Sequence, residues 1–95
     1  MEDRIREIQS KVDAERVQVS ALENKVKDQR FKEYFLKRAG HALDDVEAML
    51  VYATNSNNPV MWFAGAEFFL HIAQQQRKQA QDLVAKYGPD LVAIG

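Results

Sequence analysis

Between Pro59 and Ala73 the chain reads Pro-Val-Met-Trp-Phe-Ala-Gly-Ala-Glu-Phe-Phe-Leu-His-Ile-Ala, apolar on nearly every side of a helix. A helix on the surface of a small domain carries one apolar stripe, whereas a helix that is apolar all round must be covered all round. A chain of 95 residues has little to cover it with, because a fold of that size buries only about 60–65% of the surface its unfolded form exposes. Trp62, Phe63, Phe68 and Phe69 are therefore expected at an interface, with another copy of the chain or with a different protein.

Length allows a single domain. Apolar residues make up 46% and charged residues 28% of the chain, a balance typical of folded soluble proteins and unlike that of disordered ones. A net charge of −1 supplies no global field toward nucleic acid or an anionic membrane. The absence of cysteine excludes disulfides, thiolate nucleophiles and cysteine-based metal sites, and fits a reducing compartment. Met1-Glu-Asp-Arg-Ile lacks the apolar core of a signal peptide, and the apolar run broken by Glu67 and His71 falls short of the roughly 20 residues a bilayer span needs. A cytoplasmic protein with no membrane partner is expected.

From Met1 to Ala39 there is neither glycine nor proline, and Ile5, Ile8, Val12, Val19, Leu22, Val26 and Leu36 fall on the a and d positions of one heptad frame. Glu15, Gln29 and Glu33 interrupt that frame. The pattern predicts a long first helix over 1–39, with an edge suited to packing along a partner helix. Beyond Gly40, Ala42, Leu43, Val46, Met49, Leu50 and Ala53 recur at three- and four-residue steps and predict a second helix over 41–53. Gly40 itself reads equally as a kink, a close contact or a break. Thr54 to Asn58 is a polar loop. Asn58-Pro59 then reads as a cap and first helical position, opening a third helix over 59–87 that Gly88-Pro89 stops. Residues 88–95 form a short apolar tail.

The short loop makes the second and third helices antiparallel neighbours, with residue numbers of facing positions adding to about 112. Large then meets small along the seam: Leu50 faces Trp62, and Val46 faces Ala66. The third helix, roughly 43 Å long at 1.5 Å per residue, reaches back only to about Lys25, leaving the cleanest heptads without an intrachain partner. The expected architecture is all-α: a long helical hairpin with a protruding N-terminal coiled-coil-like arm, assembled into an oligomeric bundle. A fold-back of the arm, giving a three-helix bundle, requires a break near Gly40.

Two constellations bear on chemistry. Lys25, Lys27, Arg30, Lys32, Lys37 and Arg38 outnumber Asp28 and Glu33, with Phe31, Tyr34 and Phe35 interleaved. Cations beside aromatics suit phosphates and stacked bases, although Asp44, Asp45 and Glu47 follow at once and favour the plainer reading of an amphipathic helix. His41 with Asp45, and Glu67 with His71, stand four apart, and the antiparallel register sets one pair against the other, a form that bundle metal sites take. They fall off the apolar stripes, which favours solvated surface pairs over a metal site. No glycine-rich elbow, phosphate loop or nucleophile set is present, so neither an enzyme nor a cofactor is expected. The expected function is a non-catalytic homo-oligomeric assembly or protein-interaction module, its interface formed by Ile5, Ile8, Val12, Val19, Leu22 and Val26 together with the aromatics of the third helix. The alternative is a small nucleic-acid- or nucleotide-binding packaging or regulatory protein.

Overall fold

The computed structural model describes residues 2–88. Helix α1 (Glu2–Lys25) is followed, after three residues, by α2 (Gln29–Phe31), a π-helical segment (Lys32–Lys37) and α3 (Arg38–Asn55), which run on without interruption. A three-residue turn then leads into α4 (Pro59–Tyr87). The fold is all-α, a rod of 50 × 18 × 16 Å.

Helices α3 and α4 make the expected hairpin. Leu43, Val46 and Leu50 pack against Ala66, Leu70 and Ala73 in one buried cluster. The ring of Tyr52 lies 4.9 Å from that of Trp62, within a residue or two of the expected register. Helix α4 ends where its sequence says: Gly88 takes φ 79° and donates its N–H to the Val84 carbonyl at 2.8 Å, a left-handed closure that favours glycine. Its start differs in one respect. Pro59 occupies the first turn as expected, but the Asn58 side chain caps nothing, because φ −130°, ψ 74° takes it out of the extended conformation of a capping residue. Ser56 Oγ instead accepts the Asn58 N–H at 3.0 Å. The apolar tail, from residue 89 on, lies outside the described residues.

The N-terminal half departs further from expectation. The first helix stops at Lys25 rather than running to residue 39, and the next begins at Gln29 and passes straight through Gly40. No glycine or proline marks the break at 26–28. Asp28 makes it: in an extended conformation (φ −68°, ψ 117°), its carboxylate accepts the Phe31 N–H at 2.7 Å, satisfying a donor that a new helix would otherwise leave free. The π-helical turn that follows has a packing reason. Phe31 and Leu36 are both buried, and a helix with i to i+5 hydrogen bonding brings residues five apart onto one face.

This break lets α1 fold back, so the arm expected to protrude lies along the hairpin. Ile8 and Val12 join the cluster of Leu43, Val46 and Leu70, while Val19, Leu22 and Val26 join a second one with Phe31, Leu36, Ala39 and Ala80. Closing a three-residue connection costs little entropy compared with recruiting a separate molecule. The heptad edge thereby finds its partners inside the same chain.

Candidate interaction surfaces

Glu15 sits in the gap of the heptad edge between Val12 and Val19, and its counterpart on α4 is Arg77, between Ala73 and Ala80. Both are buried, and the guanidinium holds the carboxylate with two hydrogen bonds, Nε to Oε2 at 2.9 Å and Nη2 to Oε1 at 2.5 Å. Arg77 Nη1 also donates to Gln81 at 2.9 Å, and Gln81 in turn donates to Gln18 at 3.1 Å. The bond to Glu15 raises the Arg77 pKa, with burial opposing it. This network separates the two apolar clusters and fixes the register of α1 on α4. Arg16 bridges to α3, donating to Asp44 at 2.8 Å and to Glu47; the bond to Asp44 is the larger cause of its raised pKa. Arg4 pairs with Glu67 at the far end.

These pairs set α1 beside α4 with residue 4 level with residue 67 and residue 15 level with residue 77. The first turn of α4 therefore reaches past Glu2, so it is this end of the hairpin that protrudes, not the arm. Val51 and Tyr52 near the end of α3, and Val60 and Met61 in the first turn of α4, are exposed at this end, and Phe68, level with the start of α1, is exposed further along α4, Val60 by 72% and Phe68 by 61%. Trp62 is half-buried beneath Tyr52, and Phe63 and Phe69 are half-buried against the core. Beside Arg4 and Glu67, the residues Val60, Phe63 and Ala64 line a hollow of about 320 Å³. Further along the outward face of α4 the apolar residues give way to His71, Gln75, Lys78, Gln79 and Asp82, all exposed.

Of the sequence-derived interface residues, Phe68 is thus on the open surface, while Ile8, Val12, Val19, Leu22 and Val26 are buried within the chain and Ile5 is half-buried against them. Val51, Tyr52, Val60 and Met61 were not among the expected residues. The signal for them was available: apolar residues immediately flanking a polar loop lie at the hairpin's end, where the next helix has nothing to pack on.

At the opposite end, Lys25, Lys27, Arg30, Lys37 and Arg38 are exposed and Lys32 is half-buried. Among the described residues none of the six forms a salt bridge. The Arg38 guanidinium stacks 4.3 Å from the centre of the exposed Tyr34 ring, whereas Phe31 and Phe35 pack together at 4.8 Å toward the interior.

The His41, Asp45, Glu67 and His71 constellation does not assemble. Among the described residues no group of three or more such side chains converges on a common point: Glu67 turns to Arg4, and His71 Nε2 lies 3.5 Å from Gln75. The register of α3 on α4 lies within a residue or two of the expected one, but all four side chains are exposed on the solvent side of their helices. Among the described residues no helix is long and apolar enough to cross a membrane. No family model, curated protein or solved structure matches this chain, so its function is argued from these two surfaces.

Proposed function

We propose that the chain is a non-catalytic, cytoplasmic assembly module that self-associates through the end of the α3–α4 hairpin. The observation that carries this reading is the exposure of Val51, Tyr52, Val60 and Met61 on either side of the three-residue turn, with Phe68 also exposed about two and a half turns into α4. Contiguous exposed apolar surface on a small protein marks an interaction site, and aromatic and methionine side chains are the residues that interfaces enrich. With a net charge of −1, two copies repel one another little. Sedimentation velocity over the micromolar range tests the reading. Wild type is expected above its monomer mass of 10.9 kDa, and Phe68→Asp combined with Val60→Asp is expected to sediment as a monomer with unchanged helical circular dichroism. A wild-type monomer at every concentration refutes self-association. Recovery of a heterologous protein on wild type but not on the double variant would transfer the same surface to a different partner.

A second reading, binding of nucleic acid or a nucleotide, is favoured by the salt-bridge-free cations and by the Tyr34–Arg38 stack. Affinity would then fall steeply with salt as phosphates release counterions, and Arg30→Ala with Lys37→Ala would weaken it. Absence of any mobility shift in low salt, with single-stranded or duplex probes or with nucleotides, ends that reading.

A further inference from the structure

The placement of α1 depends on residues 26–28, Val-Lys-Asp, a stretch that any helix could include. Leu22 and Val26 on one side and Leu36 on the other, all buried, keep one heptad frame across it, although Gln29 and Glu33 fill the two slots between. What interrupts the helix is one cap, the Asp28 carboxylate on the Phe31 N–H at 2.7 Å. We propose that 26–28 is a two-state hinge. In the closed state α1 docks on its own hairpin; in the open state residues 2–55 form one continuous helix, and each α1 docks on the hairpin of a second copy of the chain.

The geometry admits this exchange without a gap. Residues joined across α1 and α3, 9 with 47, 16 with 44 and 16 with 47, have numbers that add to 56, 60 and 63. Two continuous helices lying antiparallel in that register are related by a two-fold axis passing at about residues 28–32, at the end of the hinge and the turn that follows it. Every contact α1 makes in the closed state is then remade between chains. Glu15 meets Arg77 of the partner subunit, and the apolar edge enters an identical groove. Exchange of an identical element is a low-cost route to a dimer. At the crossing point Lys27 and Arg30 of both copies approach, which holds the balance toward the closed monomer when the protein is dilute in low salt. This inference rests on the hinge and not on the hairpin-end surface of the preceding proposal.

Two substitutions push the hinge in opposite directions. Asp28→Ala removes the cap and installs the strongest helix former. Gln29→Pro favours the closed state: Gln29 is the first residue of its helix, is exposed, and follows a residue at ψ 117°, as proline at that position requires, whereas proline inside a continuous helix breaks it. Because the chain has no cysteine, Gln18→Cys with Gln81→Cys, at positions whose glutamine amides meet at 3.1 Å, reports which chains are paired through a short bis-maleimide cross-link that spans the gap left by the shorter side chains. In this background Asp28→Ala is expected to raise the exchanged-dimer population roughly thirtyfold, the equivalent of two lost caps, one at each hinge, and cross-linking is expected to join the two chains covalently on a denaturing gel. Adding Gln29→Pro should restore cross-links within single chains. Adding Phe68→Asp should leave the exchanged dimer intact, which separates it from association through the hairpin end. An Asp28→Ala protein that stays monomeric while helical, or whose dimers carry only cross-links within single chains, overturns the proposal.

Discussion

The two interfaces of this small bundle are built on different terms, and a glycine in each shows it. Along the α3–α4 seam small residues, Ala53, Ala66 and Ala73, let the helices approach, and a Cβ added to Gly65 would stand 2.9 Å from Met49 Sδ. Where α1 meets α3, a Cβ on Gly40 would meet nothing within 4 Å, and Gly40 borders a hollow of about 130 Å³ shared with Arg16, Val19 and Ser20. The seam is close-packed, whereas the α1 dock is looser and is positioned by hydrogen-bonded charge. Packing gives most of the stability of a bundle, and a buried charge pair gives register at some cost in stability. We therefore expect α1 to be the first element to open, with its amides exchanging faster than those of α3 and α4 in native-state hydrogen exchange.

The sharpest way to break this contrast is at Glu15. Glu15→Ala leaves the Arg77 guanidinium buried without its counter-charge, which costs about 3–5 kcal/mol and should release α1 or unfold the chain in chemical denaturation. Replacing both residues by methionine should recover most of that loss, because a buried ion pair is often no more stabilising than apolar residues of similar volume. If the double variant remains as unstable as the single one, the pair is doing more than setting register.

How far the sequence foretold this arrangement follows the same division. The hairpin was legible because three- and four-residue spacing, a polar turn and a Gly-Pro stop all agree. The fold-back of α1 was not. Its break carries no glycine or proline, and the cap at Asp28 is indistinguishable in sequence from Asp13 or Asp82, which lie within helices. The gap left by Glu15 read as a leak in the heptad frame because its partner, Arg77, lies 62 positions away. Hydrophobic periodicity reports which face is buried and says nothing about which chain or element buries it. That is why Ile8, Val12 and Val19 were assigned to an outside partner and found one inside.

The looser interface should also be the easier one to improve. Gly40→Ala adds a methyl group to open space inside a helix and should raise stability by about 0.5–1 kcal/mol through helix propensity, visible as a higher midpoint in urea with unchanged slope. Arg16→Ala removes the contacts to Asp44 and Glu47. With 38% of the Arg16 side chain exposed, the loss should be only about 0.2–1 kcal/mol and should shrink further in high salt. A loss several times larger would mean that α1 is held by these outer pairs and not by the buried one.

The smallest expected effect comes from the seam's own glycine, and it arises from cancellation. Gly65→Ala gains about 1 kcal/mol of helix propensity, but its Cβ would collide with Met49 Sδ, while the next contact, at 3.5 Å to the Met49 methyl, is ordinary. Met49 is half-buried, and its thioether is the far end of an unbranched chain that can change rotamer. Shifting it off its preferred angle costs about 0.5–1.5 kcal/mol. The two terms offset, so Gly65→Ala should change the urea midpoint by no more than the equivalent of about 0.5 kcal/mol. Met49→Ala in the Gly65→Ala background then separates them: if the collision is what offsets the propensity gain, the alanine at 65 should stabilise the Met49→Ala protein more than it stabilises wild type. A Gly65→Ala loss of more than about 2 kcal/mol would instead show that Met49 has nowhere to go, making the seam more rigid than its distances suggest and widening the contrast with the α1 dock.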